Sequence, residues 1–240
     1  MSTPAKNKRV LMLAHDPDAD RVQRHPGHLA ALLTEAAYET VLVSPMLGEQ
    51  LPDPAGFDLI VVLGSISSAY DDAPWILRES ELLRAADAAG VPIYGICFGA
   101  QLLAHTFGGS VKKGAAPELG VLTIESDVPD LIPAGPWWEA HYDVITPPPG
   151  ATVLARTSLG VQAFAWKNHV GVQFHPEANA DEIRAWRDVM RAEGSLSETR
   201  ARSIEAEATS IANDEAAFKG RCRLLLDSVL SGAITKKVAA

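Results

Sequence analysis

The chain has 240 residues, of which 47% are apolar and 21% are charged, a profile typical of a globular protein with one large domain or a domain with an appendage. The formal net charge is −9 and the basic residues are scattered, which argues against nucleic-acid binding. No run of about 18 uncharged apolar residues occurs, so no membrane span is predicted.

Strand-like and helix-like segments alternate in the first half of the chain. Apolar runs and periodicity predict four strands, at 9–15, 41–44, 59–63 and 91–96, and two helices, at 27–38 and 74–89. Strands that are apolar on both faces and alternate with helices indicate a mostly parallel central sheet with helices on both sides. In such sheets, functional residues gather at the carboxyl ends of the strands.

The pattern changes after Gly109. Short runs separated by turn residues predict a small mixed or antiparallel extension, with strands at 121–126, 138–146, 152–157, 162–166 and 170–174. From about Ala180 the pattern is helical, and Ser197 begins a predicted capped helix. A packed cap, a lid and an oligomerisation element all fit this tail, and its apolar positions favour packing.

The chain has two cysteines, Cys97 and Cys222. Two cysteines do not make a disulfide framework, and no Cys/His pair at short spacing accompanies Cys97, so neither a disulfide nor a metal site is predicted. The polar N-terminus, M-S-T-P-A-K-N-K-R, has no signal-peptide core. We therefore expect a cytoplasmic protein with free thiols and without a metal or other cofactor.

Cys97 lies where a predicted strand meets a predicted helix. In Gly95-Ile-Cys-Phe-Gly99, the glycines on both sides permit the sharp turn of a nucleophile elbow. The helix predicted at 100–107 would put the sulfur at a helix N-terminus, which favours the thiolate. The backbone N–H of Phe98 would then face an oxyanion formed by attack at Cys97. A buried structural cysteine is the competing interpretation.

A histidine and a carboxylate follow a later predicted strand. His175 and Glu177 flank Pro176, which keeps the segment extended and lets both side chains lie on the same side. A thiol nucleophile needs an imidazole to move protons and an acceptor that orients the imidazole. His141, in E-A-H-Y-D, is expected either to face the same pocket or to pack.

The elbow Gly-Ile-Cys-Phe-Gly-Ala-Gln (95–101), together with Gln-Phe-His-Pro-Glu (173–177), resembles the class I, or triad-type, glutamine amidotransferases. Within that family the chain is most similar to stand-alone members related to the glutaminase half of GMP synthase and to γ-glutamyl peptidases. The resemblance implies a flavodoxin-like α/β fold. The resemblance covers roughly residues 40–180, and with the helical pattern of the tail it leads us to expect a catalytic domain at 1–180 and a helical extension at 181–240 packed on the same domain.

The resemblance also implies a role for each motif residue. Cys97 would attack a γ-glutamyl amide carbon to give a thioester, His175 would move protons and Glu177 would orient His175. The backbone groups of Phe98 and Ser65 would form the oxyanion hole. The candidate substrate contacts are Gly64, Gln101 and His141.

The loop after the third predicted strand departs from the family pattern. The family has Gly-Gly-Pro there, whereas this chain has Gly64-Ser65-Ile66. If Ser65 had to adopt a positive φ, the strain would be about 1 kcal/mol or more. Loss of one oxyanion donor costs about 10²–10³ in rate, so the substitution matters. A loop shaped for another substrate and a loop set by a partner are the alternatives.

The leading functional expectation is hydrolysis of a γ-glutamyl amide by a stand-alone enzyme that acts on a γ-glutamylated amine or peptide. One alternative is a glutaminase component that passes ammonia from glutamine to a separate synthetase. A second alternative is a weakened relative that binds a glutamyl ligand. A cysteine hydrolase of the protease and deglycase type ranks below these because that group lacks the His-Pro-Glu segment. A synthetase partner and a homo-oligomer stay open, and no nucleic-acid or membrane partner is expected.

Overall fold

The computed structural model describes residues 8–238, so most of the segment on which the signal-peptide expectation depends lies outside the described residues. The first half contains β1 (Lys8–Leu13), α1 (Ala19–Arg24), α2 (Gly27–Glu35), β2 (Tyr38–Val43), β3 (Leu59–Val62), α3 (Pro74–Ala88), β4 (Ile93–Ile96) and α4 (Phe98–Thr106). The second half contains β5 (Ser110–Leu122), β6 (Glu125–Ser126), β7 (Trp137–Thr146), β8 (Thr152–Arg156), β9 (Val161–Trp166), β10 (His169–Val172), α5 (Ala180–Ala192), α6 (Glu198–Asn213), α7 (Glu215–Leu230) and α8 (Ala233–Val238).

An eight-stranded sheet in the order β2-β1-β3-β4-β10-β9-β8-β6 organises the chain. The pairs from β2 through β10 are parallel, and those from β10 outward through β9, β8 and β6 are antiparallel. Every residue of β3 and β4 is buried, as expected for strands covered on both faces. The predicted α/β class, with a mostly parallel sheet and an antiparallel extension, is confirmed.

Two element boundaries differ from prediction for identifiable reasons. The helix predicted at 27–38 ends at Glu35, because Ala37 has a φ of 60° and Tyr38 already pairs with Lys8 of β1. The strand predicted at 121–126 is divided between two strands: its start is the end of β5, which begins at Ser110 and forms a two-stranded sheet with β7, and its end is β6, which joins the large sheet beside β8. The exposed first half of β5 has few apolar residues, so alternation could not reveal it.

The helical tail packs on the sheet. Cys222, Leu225 and Leu226 of α7 lie in the same buried cluster as Val10 and Met12 of β1. Ser197 accepts a hydrogen bond from the N–H of Arg200, which confirms the predicted helix cap. The division at residue 180 stays a prediction. Among residues 8–238, no helix is both long and apolar enough to cross a bilayer.

Candidate active site

Cys97 occupies the turn between β4 and α4 with a φ of 52° and a ψ of −107°. Its N–H donates to the carbonyl of Val172 at 2.8 Å, which ties the elbow to β10. A Cβ on Gly95 would come within 2.5 Å of the Gly99 carbonyl oxygen, and a Cβ on Gly99 within 2.1 Å of the Val62 carbonyl oxygen. Backbone crowding at the elbow therefore explains both glycines.

His175 follows β10 and lies beside the Cys97 thiol. Its backbone N–H donates to the backbone carbonyl oxygen of Trp138 at 2.8 Å, and its Nδ1 lies 2.8 Å from Glu177 Oε1. Burial lowers the pKa of His175, but the charges of Glu177 and Cys97 and the hydrogen bond to Glu177 raise that pKa well above its ordinary value. The arrangement can therefore hold an imidazolium next to the sulfur at neutral pH.

Phe98 is the first residue of α4, and backbone N–H groups in a first helical turn have no acceptor within the helix. The helix dipole also favours negative charge at this end. The loop after β3 approaches the same point, because a Cβ built on Gly64 would lie 2.9 Å from His175 Cε1 and 3.9 Å from Cys97 Cβ. Ser65 is not among the described residues with positive φ, so it carries no left-handed strain.

Gly64→Ala is expected to lower the kcat of a reaction at Cys97 about 10²-fold, because the methyl group of the new alanine would push the His175 ring away from Cys97. The thermal unfolding midpoint should stay close to that of the wild type. Gly220→Ala is the matched control, since no atom lies within 4 Å of the added Cβ. Steady-state kinetics would contradict the expectation if Gly64→Ala kept the wild-type kcat.

Gln101 lies one helical turn after Cys97 and lines the same cavity. Its side chain is buried, and its Nε2 donates to Gln173 Oε1 at 3.3 Å. The contact fixes the amide of Gln101 beside the elbow. A substrate role for Gln101 stays a prediction.

His141 on β7 lines the cavity, but both of its ring nitrogens already lie within 3.3 Å of protein oxygens. Nδ1 lies 2.9 Å from the Asp143 carbonyl oxygen, and Nε2 lies 3.3 Å from Glu118 and 3.2 Å from Glu139. Burial lowers the pKa of His141, but the nearby carboxylates of Glu118 and Glu139 raise it to about 10. His141 is therefore a buried cation held by two carboxylates, and its predicted contact with substrate remains untested.

Asp143 and the loop after β3 are joined by hydrogen bonds. Asp143 accepts from Ser68 Oγ at 3.0 Å and from Tyr70 Oη at 3.3 Å. Sequence reasoning did not nominate Asp143, although it belongs to the E-A-H-Y-D segment that drew attention to His141. These contacts hold the loop over the elbow.

The cavity above Cys97 has a volume of about 520 Å³. One wall comes from α5, where Trp186, Val189 and Met190 face the cavity and the Trp186 ring lies 4.9 Å from the His175 ring. Sequence reasoning missed this wall, because the fold of the tail against the sheet brings α5 to the site. Sequence reasoning also did not place His15 in the site, although His15 follows β1 at the carboxyl edge of the sheet and lines the cavity.

The fold and the site together define a class of α/β proteins that carry an elbow cysteine, with a histidine–carboxylate pair, at the carboxyl edge of a parallel sheet. Residues 30–185 match the family model described as "Glutamine amidotransferase class-I". The chain belongs to the class I glutamine amidotransferase family, as the two motifs predicted.

Curated relatives and a solved structure agree with this assignment. Over 139 residues the chain is 39% identical to a GMP synthase [glutamine-hydrolyzing] from Aeropyrum pernix, a match that covers 55% of this chain but only 26% of that protein. It is 41% identical over 153 residues to one subunit of a GMP synthase [glutamine-hydrolyzing] from Sulfolobus acidocaldarius, covering 60% of this chain and 79% of the relative. A glutamine amidotransferase from Thermotoga maritima superposes with a TM-score of 0.81 at 25% identity, covering 94% of this chain and 99% of that one.

Proposed function

We propose that the chain hydrolyses the γ-amide of glutamine through a γ-glutamyl thioester on Cys97. The observation that carries the proposal is the His175 ring, whose Nδ1 lies 2.8 Å from the Glu177 carboxylate and which lines the same cavity as Cys97. A thiol, an imidazole and an orienting acceptor are the parts that nucleophilic acyl transfer requires.

In the acylation step, the Cys97 thiolate attacks the γ-carbonyl carbon and the carbonyl π electrons move to oxygen. The backbone N–H groups of Phe98 and Ser65 stabilise that oxyanion. The adduct then collapses, the C–N bond breaks, and the imidazolium of His175 gives its proton to the leaving nitrogen. Ammonia departs and a γ-glutamyl thioester remains.

In the deacylation step, neutral His175 takes a proton from water as the water oxygen attacks the thioester carbon. The C–S bond breaks, and glutamate leaves with the thiolate–imidazolium pair restored. Glu177 acts by holding the His175 ring in one orientation and by stabilising its charged form. Gln101 and the backbone of Gly64 are proposed to hold the glutamyl group beside the elbow.

The relatives' names support delivery of the ammonia to a separate synthetase. The Sulfolobus acidocaldarius relative is one subunit of its enzyme, whereas the matched part is about a quarter of the Aeropyrum pernix protein. The chain would then be the glutaminase component of a two-part enzyme. Its partner and the acceptor of the ammonia belong to this proposal.

A stand-alone hydrolase of larger γ-glutamyl amides is the second candidate, and the shape of the cavity favours it. Glutamine would fill only part of about 520 Å³, and the volume falls in the range of larger ligands. His175 protonates the leaving nitrogen, so a leaving amine would lie on the His175 side. Trp186 contacts His175 there, and Val189 and Met190 extend an apolar surface next to it.

Release of glutamate from glutamine and from γ-glutamyl-n-butylamide by the purified chain separates the two candidates. Measurable turnover of glutamine, with a higher kcat/KM than for the butylamide, supports the glutaminase. A higher kcat/KM for the butylamide supports the stand-alone hydrolase. Absence of turnover on both substrates overturns the proposed γ-glutamyl chemistry.

A further inference from the structure

His15 lies beside both parts of the proposed oxyanion hole. Its side chain has no exposed surface, and its ring lies 5.0 Å from the Phe98 ring and 5.1 Å from the Trp75 ring. Its Nδ1 lies 3.0 Å from the carbonyl oxygen of Gly64. His15 thus contacts the residue that supplies one proposed donor and the peptide that supplies the other.

The hydrogen bond to Gly64 has a fixed direction. A carbonyl oxygen can only accept, so Nδ1 carries the proton and donates it. The other ring nitrogen, Nε2, lies 2.9 Å from Oε2 of Glu79. Glu79 belongs to α3, and its side chain is also completely buried. A proton carried either by Nε2 or by the Glu79 carboxyl group makes this contact a hydrogen bond, so Glu79 holds the ring in one orientation.

The orientation of the Gly64 carbonyl determines where the next N–H points. In a trans peptide the C=O and the following N–H point in opposite directions, and the peptide between Gly64 and Ser65 is trans. A carbonyl held by His15 therefore turns the Ser65 N–H away from His15. A rotation of this peptide would break the buried hydrogen bond to His15.

The sequence of the loop makes such a restraint necessary. Ile66 stands where the resemblance led us to expect proline, so the ring that would fix φ is absent. The Ile66 side chain is 74% exposed and contributes little packing. Side-chain contacts from Ser65 to Ser67 and from Ser68 to Asp143 restrain the loop further along.

We propose that His15, held by Glu79, is a positioning residue that fixes the peptide between Gly64 and Ser65 so that the Ser65 N–H serves the oxyanion. The inference rests on the proposed acyl transfer at Cys97. It assigns no direct contact between His15 and the substrate.

Two polar substitutions separate the two hydrogen bonds of His15. The amide nitrogen of His15→Asn can occupy the position of Nδ1 and donate to Gly64, whereas that of His15→Gln occupies the position of Nε2 and reaches only Glu79. We expect His15→Gln to lower kcat about 10- to 100-fold, because one oxyanion donor is worth about 10²–10³ in rate. His15→Asn should stay within about fivefold of the wild type. KM should change little, since the donor acts in the transition state.

The rate at which iodoacetamide alkylates Cys97 distinguishes a general structural defect from loss of the oxyanion donor. A general defect at the elbow would change this rate. Alkylation needs the thiolate but no oxyanion hole, so both variants should react at the wild-type rate. The inference is overturned if His15→Gln keeps the wild-type kcat, if the two variants lose kcat equally, or if alkylation slows in proportion to kcat. The assay uses glutamine or γ-glutamyl-p-nitroanilide, whichever the wild type hydrolyses. A wild type that hydrolyses neither overturns the proposed function itself.

Discussion

Cys97→Ala is expected to lower the release of glutamate from glutamine by at least about 10⁴-fold, because loss of a nucleophile removes the acylation step and leaves only binding and oxyanion stabilisation. The expectation follows from the elbow, where Cys97 lies beside His175 at the start of α4. The rate is measured with saturating glutamine and compared with that of the wild type.

Cys222→Ala is the matched control. Cys222 is buried in α7 within the sheet's core, and burial raises the pKa of its thiol well above the ordinary value, so it is no nucleophile at neutral pH. Its removal should leave kcat unchanged. Activity retained by Cys97→Ala, or lost only in Cys222→Ala, would exclude the proposed mechanism.

His141→Leu is expected to lower the free energy of unfolding by about 3–5 kcal/mol, because removal of His141 leaves the buried Glu139 carboxylate without a charged partner, while Glu118 keeps its hydrogen bond from Gln162. Glu118 and Glu139 lie within 3.3 Å of His141 Nε2, and burial already raises the pKa of Glu139. Urea unfolding at pH 6.5 measures the difference from the wild type. His105→Leu, at an exposed position on α4, should change the free energy of unfolding by less than about 1 kcal/mol.

The pH dependence of this difference has a definite sign. The folded pKa of His141 is raised from 6.5 to about 10, so its stabilising contribution is complete below pH 6.5 and is lost as the pH rises through about 10. The difference between wild type and His141→Leu should therefore narrow between pH 6.5 and 10. A constant difference across that interval would argue that His141 stabilises the fold by packing and not by charge.

The sequence predicted the central sheet well because its strands are buried on both faces. The run 59–63 is continuously apolar, and its position between helical segments leaves few other arrangements. The elbow was equally predictable, because the backbone near Cys97 leaves no room for a side chain at Gly95 or Gly99. Local steric requirements of this kind leave a direct trace in the sequence.

Contacts between segments that lie far apart in the chain could not be predicted from the sequence in this way. His15 meets the Gly64 carbonyl across 49 positions of the chain, and Trp186 reaches His175 only because the tail folds back on the sheet. The absence of glycine at Ser65 suggested backbone strain, yet this residue has no positive φ. The loop is instead restrained by hydrogen bonds from other elements, which no single segment could reveal.

The most direct test of the account is detection of the γ-glutamyl thioester. The wild-type chain is mixed with glutamine, quenched in acid within the first turnover and digested, and the peptides are analysed by mass spectrometry. We predict one added γ-glutamyl group on the peptide that contains Cys97, removable by hydroxylamine and absent when Cys97→Ala is treated in the same way. Turnover of glutamine with no adduct on this peptide, or with the adduct on another residue, would contradict the proposed role of Cys97.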